Sequence, residues 1–299
     1  MTQNSGIASS RPTSIRSLPT IPLPSSNTCA PESYDRGLPG TLHVHEDFVS
    51  HHLGARRPVV IYLPPGYRRD TRRHYPLLLL HDGQNVFDPS TAYIPGQHWR
   101  AKETADVLLA QRRIEPLIIA AVYHGAEKRL LEYTPTRTRR LGGGGAALHG
   151  RMVIDELLPW LRARYRISPR PSNTGAGGSS LGGLVSLWLG LEHPEIFGRL
   201  AVFSPSVWWD RRAILKQAER LNHSRRPRIW LDTGTAEGET PGAHLLDTRL
   251  LKAMLVGKGW REGRSLHYFE AEGAAHSESA WAARLPLALQ FLYPRKATP

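Results

Sequence analysis

From Thr41 onward, short and nearly all-apolar runs alternate with longer amphipathic stretches, and this alternation restricts the fold more than any other feature of the chain. Arg57-Pro58-Val59-Val60-Ile61-Tyr62-Leu63 is one such run, ended by Pro64-Pro65-Gly66. Others lie at Leu77 to His81, Leu117 to Tyr123, Leu200 to Phe203, Arg228 to Asp232 and Ser265 to Phe269, with two more near 41–47 and just before Ser180. Successive side chains of a strand point to opposite faces, so a strand apolar at nearly every position must be covered on both. The covering segments read as helices near 101–111, 150–164, 182–192, 211–221, 244–257 and 278–292. In Val153 to Leu161 the apolar residues recur at i, i+1, i+4, i+5 and i+8, one face of a helix lying on a sheet. Strand and helix in alternation predict an α/β fold, a mostly parallel, doubly wound sheet of about eight strands with helices on both faces.

The 40% apolar content and eight tryptophans fit a folded core. A single domain over 39–299 is expected; residues 1–38, rich in Ser, Pro, Thr and Asn, read as a disordered tail. No apolar run approaches the ~18 residues of a membrane span, and the N-terminus has no basic region followed by an apolar stretch. The lone cysteine, Cys29, excludes an intrachain disulfide. Cytoplasmic residence is therefore expected. The net charge of +13 raises a nucleic-acid partner, but the arginines come as scattered pairs without interleaved aromatics. They read as a solvated surface, with attraction of an anionic substrate as the sharper alternative. Neither a nucleic-acid nor a membrane partner is expected. Leu141-Gly142-Gly143-Gly144-Gly145 reads as a flexible loop, since no G-K-[ST] follows to make a phosphate cradle.

Gly178-Ser179-Ser180-Leu181-Gly182 is a G-x-S-x-G pattern placed between a strand and a helix. A serine on so sharp a turn is strained, and the flanking glycines let the turn close. In a sheet of this kind a nucleophile is followed by an acid and then by a histidine on later loops, all at the carboxyl edge of the sheet. Ser180, Glu237 and His276 stand in that order. Glu237 lies in the loop after Arg228 to Asp232; Asp232, within the strand, is the alternative acid, and Asp210 and Asp247 are more remote ones. His276 follows the last strand, whereas His267 and His244 read as structural. For an oxyanion, one donor is expected from the amide of Leu181 and the second from His81-Asp82-Gly83-Gln84-Asn85, with Gln84 preferred over Gly83 and Asn85. Asp82 and Gly83 of that loop, with Trp208 and Trp209 of Ser204-Pro205-Ser206-Val207-Trp208-Trp209-Asp210, are candidates to line a substrate pocket. The same tryptophans would serve equally as a core-covering pair.

Leu78-Leu79-Leu80-His81-Asp82-Gly83-Gln84-Asn85-Val86-Phe87-Asp88, Gly177-Gly178-Ser179-Ser180-Leu181-Gly182-Gly183-Leu184 and Ser204-Pro205-Ser206-Val207-Trp208-Trp209 together resemble the putative-esterase family of α/β-hydrolases, the branch with esterase D, the enterochelin esterases and feruloyl esterases. Arg129-x-x-Glu132-Tyr133-Thr134-Pro135 and His276-Ser277-Glu278 with Trp281 fit the same likeness, which runs from about 41 to 293. The resemblance implies a serine carboxyl-ester hydrolase acting on a small-molecule ester, with no metal or cofactor, and carries nucleophile, acid and histidine to Ser180, Glu237 and His276. Feruloyl members often place Asp where this chain has Glu237, and some siderophore esterases use Ser and His alone. The family also implies two alternatives, cleavage of a catecholate siderophore ester or acyl transfer; a binding protein that keeps the fold without turnover is a third, from a different class.

Overall fold

The apolar runs pair into one eight-stranded sheet: β1 (Thr41–Ser50), β2 (Ala55–Leu63), β3 (Leu77–Leu80), β4 (Ile118–Val122), β7 (Thr174–Ser179), β8 (Arg199–Phe203), β9 (Arg228–Gly234) and β10 (Leu266–Ala271), with β5 (Arg137–Thr138) and β6 (Gly142–Gly143) forming a separate ladder. This is seen in a computed structural model that describes residues 39–221, 225–238, 240 and 242–295. The predicted tail at 1–38 and Cys29 lie outside the described residues. The strand order is β1-β2-β4-β3-β7-β8-β9-β10. The two pairings made by β2 are antiparallel and the rest are parallel. With the small ladder left out of the count, the order reads 1-2-4-3-5-6-7-8, the α/β-hydrolase sheet that the motifs implied.

The all-apolar strands sit in the middle for the expected reason. Every residue of β3 and β4 is buried, because helices cover both faces. On one face α1 (Ala101–Ala110) and α8 (Glu278–Leu292) pack with Trp99, Trp230 and Tyr293. The other face carries the helical run from α3 (Ala146–Arg151) to α4 (Leu158–Arg164), α5 (Leu181–Glu192), α6 (Trp209–Arg220) and α7 (Ala243–Gly257). Ten of the twelve residues of α5 are buried, as befits a helix enclosed between sheet and neighbouring helices.

Several boundaries depart from the sequence pattern. The predicted helix at 150–164 begins at Ala146 and passes through a π-helical turn at Met152–Leu157. In α6 the backbone is left-handed at Asp210, Arg211 and Arg212, so regular helix starts after them. Part of the glycine run is not a free loop: Gly142 and Gly143 pair with Thr138 and Arg137. The short α2 (Arg129–Tyr133) gave too little periodicity to read. Among the described residues no helix is long and apolar enough to cross a membrane.

Candidate active site

Ser180 occupies the turn between β7 and α5 with φ 56 and ψ −122, a region that non-glycine residues rarely occupy. The surroundings hold it there. Its amide donates to Phe203 O at 3.0 Å, and its carbonyl accepts from the amides of Leu184 (3.0 Å) and Ser206 (3.1 Å). The flanking glycines are required by contact. A Cβ on Gly178 would come within 2.8 Å of the Gly182 carbonyl carbon, and one on Gly182 within 2.9 Å of Asp82 Oδ2. The elbow therefore closes against the loop that follows β3.

Glu237 and His276, from the loops after β9 and β10, meet: His276 Nδ1 donates to Glu237 Oε2 at 2.9 Å. The other carboxylate oxygen accepts from Ser204 Oγ (2.5 Å) and from the Gly234 amide (2.7 Å), and Arg284 Nη2 lies at 3.5 Å. Burial opposes ionisation of Glu237, but these donors outweigh it and hold its carboxyl below the usual range. Asp232 is engaged elsewhere. It accepts from the Ser204 amide at 3.1 Å and Trp230 Nε1 at 2.8 Å, and faces Arg284 Nε at 3.1 Å. Burial pushes its carboxyl up to about 6 against the pull of those partners. Of the more remote acids, Asp247 is bound to Arg212 at 2.6 Å.

The serine is not hydrogen-bonded to the histidine among the described contacts; Ser180 Oγ pairs with Ser206 Oγ at 3.3 Å. The amide of Leu181, as the first residue of α5, has no intrahelical acceptor and points out of the helix start. In the facing loop, Asp82 is left-handed and Gly83–Asn85 form one 3-10 turn. The Asn85 amide is spent on Asp82 O at 2.9 Å, which removes it as an oxyanion donor and leaves Gly83 and Gln84. Gln84 Oε1 is buried and has no partner among the described residues. Gly83 packs against β4, where an added Cβ would stand 2.7 Å from Ala121 C.

The pocket candidates differ in their surroundings. Both carboxylate oxygens of Asp82 are held by Arg129 at 2.7 Å, which anchors the loop after β3. The tryptophan pair divides. Trp209 is 1% exposed in the core with its Nε1 donating to Thr136 O, whereas Trp208 is 43% exposed at the same strand edge.

Sequence reading missed the supports. Arg284 and Ser204 are buried between the two acids, and Trp281 Nε1 donates to Ser204 Oγ at 3.0 Å. Arg57, read as part of a solvated pair, is buried against Glu132. In the loop after β3, His81 Nδ1 meets Ser186 Oγ at 2.9 Å and its Nε2 meets His149 Nε2 at 3.1 Å. Since Ser186 Oγ donates to Gly182 O at 2.7 Å, it accepts from His81 Nδ1, so His81 Nε2 accepts from His149. Burial and the neighbouring His149 push His81 down to about 3, so it stays neutral in the folded protein while it protonates in the unfolded chain below about 6.5. The unfolded state then binds more protons, and stability falls as pH falls below that value. Going from pH 8 to pH 5, His81 is expected to cost about 2 kcal/mol, read as a wild-type advantage over His81→Gln in urea unfolding that shrinks by that amount; a difference independent of pH would contradict its burial as a neutral ring.

Residues 50–292 match the family described as Putative esterase. The chain belongs to this family. Relatives include the uncharacterized protein YbbA of Bacillus subtilis, 26% identical over 255 residues that cover 82% of this chain and 96% of that one. The iron(III) salmochelin esterase of Escherichia coli is 28% identical over 216 residues, 67% of this chain and 48% of that protein. Among solved structures, the BES protein of Bacillus cereus superposes with a TM-score of 0.64 at 21% identity, covering 89% of this chain and 99% of that one. Membership makes this esterase-family chain a carboxylic ester hydrolase, and its fold is the α/β-hydrolase fold shared by those structures.

Proposed function

We propose that this esterase-family protein cleaves a small carboxylic ester through an acyl-enzyme on Ser180. The observation that carries the reading is the strained serine at φ 56 on the same sheet edge as the Glu237–His276 pair. In the reaction Ser180 Oγ exchanges its contact with Ser206 Oγ for one with His276 Nε2; contacts of this kind close when substrate is seated. His276 takes the Oγ proton as Oγ adds to the ester carbonyl. The oxyanion is received by the amides of Leu181 and Gln84. Collapse expels the alcohol, which leaves with the proton from His276, and water attacks the acyl-enzyme by the same route in reverse. Glu237 fixes the tautomer with the proton on Nδ1 and offsets the imidazolium charge.

A fluorophosphonate probe tests the nucleophile. One adduct on the peptide that contains Ser180 is expected; no adduct, or one on another serine, would overturn the assignment.

A second reading has its own support. The iron(III) enterobactin esterase of Escherichia coli O6:H1 is 43% identical over 92 residues, 28% of this chain and 23% of that protein, and the net charge of +13 suits an anionic substrate. Hydrolysis of a triserine catecholate, compared with p-nitrophenyl butyrate and a feruloyl ester, separates a siderophore esterase from a general carboxylesterase by its kcat/KM order.

A further inference from the structure

His244, read from the sequence as structural, stands beside the catalytic pair. It is the second residue of α7, and its ring centre lies 5.3 Å from that of His276 at a tilt of 59°. Its Nδ1 is 3.9 Å from Glu237 Oε2, the same oxygen that accepts from His276 Nδ1 at 2.9 Å. One ligand atom from each of Glu237, His244 and His276 falls within 4.8 Å of the others. A tetrahedral zinc ion bound to nitrogen and oxygen at roughly 2.0–2.2 Å spaces its ligand atoms about 3.3–3.6 Å apart. The observed spacings straddle that value, so small rotations of two imidazoles would form the site. The side chains also differ in the way a binding site needs. The carboxylate is fully buried, whereas His276 and His244 are 28% and 20% exposed, which gives an ion a path in.

We propose that Glu237, His244 and His276 form an inhibitory site for a zinc-like transition-metal cation. Two imidazoles and one carboxylate select Zn²⁺ or Cu²⁺ over Mg²⁺ and Ca²⁺, which prefer all-oxygen shells. The site and the catalytic pair cannot operate together. Coordination through His276 Nδ1 moves that proton to Nε2, which then has no lone pair for the Ser180 proton; coordination through Nε2 occupies the lone pair directly. Either way the ring loses its function as a base. Binding follows from the geometry alone, whereas its effect on turnover rests on the acyl-enzyme reading.

Titration calorimetry of the untagged full chain with ZnCl₂ tests the site. One ion per chain is expected for wild type, for Ser180→Ala and for Cys29→Ser with matching affinity, and no saturable binding of MgCl₂. His244→Ala should weaken zinc by at least ~10-fold, the scale on which metal sites respond to lost partners. His244→Gln, checked for native near-ultraviolet dichroism, serves if the alanine variant does not fold. Wild-type affinity in the His244 variants, or no saturable zinc binding by wild type, would overturn the proposal. Zinc should also slow fluorophosphonate labelling of Ser180 in wild type and do so less in the His244 variant. Binding lost with His244 but without slower labelling would overturn the inhibitory action and leave the acyl-enzyme reading standing, whereas absence of any Ser180 adduct, with or without zinc, would overturn that reading and leave the cation site standing.

Discussion

Ser180→Ala is expected to lower kcat for p-nitrophenyl butyrate by roughly ten-thousand-fold to a million-fold, the range seen when a serine nucleophile is removed. The folded state should remain, because alanine keeps the Cβ and the backbone bonds to Phe203, Leu184 and Ser206. Ser180→Gly should be equally inactive and also more stable. Glycine meets no Cβ penalty at φ 56, so about 1–3 kcal/mol of stored strain is released, less up to ~1 kcal/mol for its greater freedom when unfolded. The pair of variants separates two properties of one position. Hydrolysis by Ser180→Ala at the wild-type rate would remove the serine from the mechanism, and a glycine variant less stable than the alanine one would show the elbow to be unstrained.

Arg284→Leu is expected to be the most damaging change away from Ser180. Arg284 is 3% exposed and lies between Asp232 and Glu237, whose side chains are fully buried. Its loss leaves Asp232 in the interior with no cation, while Glu237 keeps His276, Ser204 and the Gly234 amide; an uncompensated buried charge costs about 3–5 kcal/mol. For a chain of this size that lowers Tm by roughly 6–20 °C, measurable by calorimetry. The variant should also reverse part of the acid sensitivity. Buried acids without a cation have folded pKa values above their unfolded ones, so they contribute stability that is present at low pH and lost as pH rises through the folded value. Asp232, already pushed up to about 6 beside Arg284, would rise further. Relative to wild type, Arg284→Leu should therefore be least destabilised near pH 5 and most near pH 8. A constant deficit across that range would show that the carboxylates do not carry the effect.

Seven of the eight sheet strands were legible as local patterns of apolar side chains, and β3 and β4 are buried at every position as their composition demands, whereas β7, Thr174–Ser179, was marked only by the G-x-S-x-G turn that ends it. The placement of Ser180 and His276 was legible for a related reason: a glycine-flanked turn and a loop after the last strand are marked by nearby residues. The choice between Glu237 and Asp232 was not. Both carboxylates lie near one strand end, and only the placement of Arg284, far along the chain on α8, and of Ser204 on the loop after β8 decides which of them faces His276. Trp208 and Trp209 are adjacent and identical in type, yet their strand edge sends one into the core and the other to the surface. The proximity of His244 to His276 likewise joins the start of α7 to the loop after β10. Sequence alone determined which segments become strands and helices and which loops carry reactive side chains, since backbone periodicity and turn chemistry act over a few residues. Tertiary structure decided which buried charge meets which partner, because desolvation and Coulomb interaction depend on distances that only the packed chain fixes.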